Sequence, residues 1–155
     1  MKKGFAIYML ITIMLGFKVY SQEVTPYKIN SIKSYLFYEE TGSFSQETSN
    51  FQALWNTPIG EGDTGGASNQ VLVVIEVSGT PETYENRNIE FTAIEGNKVI
   101  LKRTENIGVI GENGKINIGF WLYNVGMKPI KITGKIIGQK STSTLTKTIP
   151  FESGE

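Results

Sequence analysis

Histidine and cysteine are both absent from this 155-residue chain, and Asp63 is its only aspartate. Zinc, copper and non-haem iron centres draw on His and Cys, so no cofactor or transition metal is expected. Ser-His-Asp and Cys-His nucleophilic catalysis is impossible without an imidazole. Proton transfer at neutral pH also relies mostly on His, and the chain is therefore expected not to be an enzyme. The lack of Cys removes disulfide staples, which a domain above about 80 residues does not need. An excess of one charge is missing too, with 15 basic and 15 acidic residues. Nucleic acid is therefore not an expected partner.

Long apolar runs are also missing, with one exception at the N-terminus. Lys2 and Lys3 precede the apolar stretch Gly4 to Phe17, and Val19 and Ser21 stand at the −3 and −1 positions of a cut before Gln22. That is the layout of a secretory signal peptide, and the stretch is too short to span a bilayer comfortably. Residues 1–21 are read as the signal, so the protein is expected to be exported, to the periplasm or the extracellular medium. No Cys follows the apolar stretch, and no lipid anchor is expected. Removing 21 of 155 residues leaves 134, with 12 basic residues against 15 acidic ones. That length suits one domain with a real core. No membrane span is expected after signal removal.

Period-2 alternation dominates the remainder, and no segment sustains a period of 3.6. Strands are expected within 28–39 and over 71–77, 88–94, 99–104, 116–123, 130–137 and 144–151, with Gly-bearing turns between most of them. About seven short strands point to an all-β sandwich, with a small β-barrel as the alternative. The last three strands read as a meander within one sheet. The expected core is Val73, Ile75, Val77, Ile89, Phe91, Ile118, Phe120, Leu122, Ile132 and Ile136. Residues 41–70 form a long irregular segment, in which Phe51–Trp55 is expected to dock as a short strand or helical turn. Lys147 falls in phase with Leu145 and Ile149, and an inward Lys on a terminal strand blocks edge-to-edge pairing.

Few residues carry chemistry. Gly60, Gly62 and Gly65 match G-x-G-x-x-G, but a strand rather than a helix is expected after them, which removes the dinucleotide reading. Glu61 and Asp63 are a thin start for a weak calcium loop, since calcium takes six to eight oxygens. Glu39 and Glu40 are adjacent, and on a strand they would point to opposite faces. Trp121 and Tyr123 share one strand face with Asn117, a surface for stacking on a sugar or on an apolar anchor. Trp55, in the irregular segment, is the remaining member of this candidate binding surface.

The run NGKINIGFWLYNVGMKPIKITGKIIGQ and the last Thr-rich strand resemble the final strands of immunoglobulin-like β-sandwiches. With VLVVIEVSGTP and the NIEFTAIEGNKVILKR hairpin, residues 70–155 resemble small exported proteins of Bacteroidetes type. The resemblance implies a sandwich without the antibody Cys-Trp-Cys core, and it carries over no site residue. The expectation is a non-catalytic binding or structural module of the cell envelope, docking an envelope or extracellular protein through loops or a sheet edge. The alternative is a small glycan-binding or glycan-active protein that uses Trp, Tyr and Glu side chains.

Overall fold

Alternation buries one face of most strands, and the computed structural model forms eight strands in the described residues, 26–153. The signal-peptide reading and the cut before Gln22 lie outside the described residues. The strands are β1 (Lys28–Tyr38), β2 (Ser43–Glu47), β3 (Gln70–Ser78), β4 (Asn88–Glu95), β5 (Lys98–Asn106), β6 (Lys115–Tyr123), β7 (Ile130–Ile137) and β8 (Ser143–Ile149). They make two antiparallel four-stranded sheets, ordered β2-β1-β3-β6 and β5-β4-β7-β8. The sheets do not close on each other, so the barrel alternative is set aside. Leaving out β2, this is the A-B-E and C′-C-F-G arrangement of an immunoglobulin-like sandwich.

The expected three-strand meander is corrected by this topology. β6 pairs with β3 in the first sheet, whereas β7 and β8 pair in the second. The connection over residues 124–129 crosses between sheets, with Val125 buried and its N–H bonded to the Asn69 carbonyl at 3.0 Å. Both inner faces line the same core, so alternation alone cannot tell which sheet a strand joins.

Val71, Val73, Ile75 and Val77 of β3 face Ile89, Phe91 and Ala93 of β4 and Ile130, Ile132 and Ile136 of β7, all fully or almost fully buried. Phe91 and Phe120 stack across the sandwich with ring centroids 4.2 Å apart. A Cβ on Gly134 would lie 2.9 Å from Ile75 Cδ1, so this glycine lets the sheets approach. Ile118, expected in the core, is only half-buried because β6 is an edge strand.

The segment 41–70 holds β2 and a 3₁₀ turn over Thr48–Asn50. Its docked apolar residue is Leu54, which is buried, while Trp55 bridges Glu152 beyond β8. The rest of the loop is internally bonded: the Ser68 N–H donates to the Thr57 carbonyl at 2.7 Å, and both Thr57 and Ser68 are buried.

Candidate functional site

The outer face of the first sheet carries β1, β3 and β6 side chains that alternation turns away from the core. Register places Phe37 opposite Phe44 on one side and Gln70 on the other; Gln70 in turn lies opposite Tyr123, and Leu72 opposite Trp121. Four aromatic rings therefore meet at one end of the sheet. Phe37 stands edge-on to Trp121 at 5.5 Å and touches Phe44 at 5.2 Å, with Phe44 and Trp121 5.9 Å apart. Trp121 and Tyr123 lie within 17° of parallel at 6.2 Å. Trp121 is half-buried by these neighbours, while Phe44 is 47% exposed and Tyr123 60% exposed. Large aromatics are mostly buried, so Phe44 and Tyr123 are the two rings of this cluster that stand out into solvent.

The rim of this cluster is polar. Gln70 Nε2 donates to Glu39 Oε1, which ties the turn after β1 to the strand between Phe37 and Tyr123. Glu39 and Glu40 lie in that turn and not on a strand, so the opposite-face reading of this pair is corrected. Both line one depression of about 300 Å³ with Pro58, Ala67, Ser68 and Asn69.

Further along the same face, Asn117 borders a depression of about 120 Å³ with Ser31, Lys33, Tyr35, Val74 and Glu76. Glu76 accepts from Lys115 Nζ at 3.0 Å and from Asn30 Nδ2 at 3.1 Å. The Lys115 bond, then the Asn30 bond, hold its carboxyl below the ordinary value of 4.5.

Of the expected surface, Asn117, Trp121 and Tyr123 share this outer face, with Asn117 two pleats from Trp121. Trp55 belongs elsewhere: it sits on the 51–66 loop with its ring against Gly62, where a Cβ would fall 3.0 Å from Trp55 Cδ1. Phe37, Phe44 and Gln70 join the expected residues at this site, and Glu39, expected only as half of an adjacent carboxylate pair, lies at its rim. The signal for Phe37 was present, since it is in phase with the outward Tyr35. Phe44 had none, because its strand is five residues long and polar apart from that one ring.

Glu61 and Asp63 are engaged inside the loop. Asp63 Oδ2 accepts the N–H groups of Gln52 and Ala53 at 2.9 and 3.1 Å, and Glu61 Oε2 accepts from Asn56 Nδ2 at 2.8 Å. Among the described residues no group of three or more His, Cys, Asp or Glu side chains gathers as a metal site. No helix follows the Gly60–Gly65 motif; the chain runs irregularly into β3.

A second concave surface lies at the other end of β1. It is an open groove of about 640 Å³ lined by Pro26–Ile29, Ser78, Gly79 and Ser141–Leu145. Its strand edge is largely occupied by side chains. Gln139 takes both the N–H and the carbonyl of Tyr27, and Ser143 Oγ accepts the Ile29 N–H at 3.0 Å.

No family model matches the sequence, and no curated protein matches it. Among solved structures the chain is similar to the Bifidobacterium dentium β-glucuronidase complexed with coumarin-3-O-glucuronide, at 9% identity and a TM-score of 0.45. That match covers 82% of this chain and 18% of the enzyme, and a likeness at this level assigns no activity.

Proposed function

We propose that the chain is an exported, non-catalytic binding module of the cell envelope that docks a protein on the aromatic outer face of its first sheet. The observation that carries this reading is the exposure of Phe44 and Tyr123 around a half-buried Trp121. Such an arrangement supplies two anchors that bury further on docking and one ring already held rigid by its neighbours. Aromatic anchors of this kind dominate binding energy, with about 2 kcal/mol or more lost when one is truncated at the centre of an interface. The absence of His and the engagement of Glu39 by Gln70 support a non-catalytic role. Export rests on the N-terminal layout, and the kinship proposed is with small exported sandwich proteins of Bacteroidetes type.

Affinity capture from native envelope extract tests the reading. A partner retained by the protein is expected to be lost with the double variant Phe44→Ser/Tyr123→Ser and kept with Val99→Ser, a control on the other sheet. Equal retention by all three proteins would remove the aromatic face from the account. A glycan ligand is the second reading, favoured by the near-parallel Trp121 and Tyr123 rings beside the Gln70 amide.

A further inference from the structure

The rim of the aromatic face carries two carboxylates that enter no ion pair among the described residues. Glu39 accepts from the amide of Gln70, whose register neighbours are Phe37 and Tyr123, so its carboxylate is held at the strand position between those two rings. Glu40 shares the adjoining depression with it. Among the described residues, ion pairs engage Glu47, Glu76, Glu85, Glu90 and Glu105, and none involves Glu39 or Glu40. The sequence explains this, because no Lys or Arg occurs between Lys33 and Arg87. β2 and the start of β3, the strands beside the turn, fall inside that interval. Lys128, five residues beyond Tyr123, is exposed on the connection after β6 and enters no ion pair among the described residues.

From this we infer that the segment docked on the face is a cationic peptide, with Lys or Arg side chains set beside an apolar anchor. The inference deepens the proposed binding role and rests on it. The apolar anchor covers Phe44 and Tyr123. A neighbouring Lys or Arg meets Glu39 and Glu40, and lies within reach of the Trp121 and Tyr123 ring faces, which attract cations. Complementary charge of this kind sets which partner is admitted and speeds encounter. A neutral sugar would leave both carboxylates without a counter-charge.

The test uses the Trp55→Phe protein, in which Trp121 is the sole fluorophore of its kind. Blocked hexapeptides alternating Lys with Leu, Glu with Leu, and Ser with Leu are titrated at low and high salt, as is a neutral glucose hexasaccharide. The Lys/Leu peptide is expected to perturb Trp121 emission and to bind about tenfold more tightly than the Ser/Leu peptide at low salt. Glu39→Gln/Glu40→Gln is expected to erase that margin and its salt dependence, with near-ultraviolet circular dichroism confirming the native fold. Tyr123→Ser is expected to weaken every peptide. If the Ser/Leu peptide or the sugar binds as well as Lys/Leu, and Tyr123→Ser still abolishes binding, the cationic inference falls and the binding face stands. If no probe perturbs Trp121, the inference and the reading beneath it fall together.

Discussion

Glu76 shows how much a single half-buried side chain depends on its neighbours. Lys115 opposite Ser78 and Asn30 on β1 both donate to it, and their bonds lower its proton affinity relative to an unfolded glutamate. A carboxyl lowered on folding contributes stability that is present above its unfolded value and disappears as the pH falls through the folded one. Melting temperature is therefore expected to fall as the pH drops below the ordinary 4.5, and Glu76→Gln is expected to make that fall shallower. An identical acid limb in the two proteins, followed by scanning calorimetry, would show that the pair contributes nothing. Other residue-level readings were legible in advance for the same kind of reason. Trp121 and Tyr123 had to share a face with Asn117, because side chains on a strand repeat every second residue. The partners of Trp121 were not legible, since Phe37 and Phe44 lie 84 and 77 residues earlier in the chain and reach it only through the pairings of β1, β2, β3 and β6.

At the scale of elements, sequence pattern located seven of the eight strands, and all of these but β5 bury apolar side chains fully. β2 escaped it: SFSQE buries no residue fully and is held instead by β1 pairing and by Glu47. Glu47 bonds the Ser34 N–H, the Ser49 backbone and hydroxyl groups, and Lys147 Nζ. Lys147 was legible as an inward charge on an edge strand. Its partner lies 100 residues away on the opposite sheet, where only the fold could place it. The ion pair fastens β2 of one sheet to β8 of the other, with both side chains less than 20% exposed. A double-mutant cycle on Lys147→Met and Glu47→Gln is expected to show coupling of about 1 kcal/mol by urea unfolding, since glutamine keeps an acceptor for Ser34. Additive effects would mean that the two edges are joined by packing alone.

At the scale of the whole molecule, the sandwich divides its two ends by chemistry. One end gathers the aromatic cluster, the Glu39–Glu40 turn and the bonded 51–69 loop; the other holds the open groove beside β8, whose strand edge Gln139 and Ser143 occupy. The sandwich class followed from strand count and turn spacing, but the assignment of β6 to the first sheet did not. That assignment matters to function, because it sets Trp121 and Tyr123 beside β3 and within reach of Phe37 and Phe44. In the expected meander those two rings would have faced β7 instead. The central claim is that this face is where a partner docks, and site-specific photo-crosslinking in intact cells tests it most directly. A photoreactive phenylalanine analogue is placed at Tyr123, with Val109 on the loop after β5 as an equally exposed comparison, 58% against 60%. The account predicts a discrete protein adduct from position 123 and none from position 109. Adducts from 109 with none from 123 would contradict it.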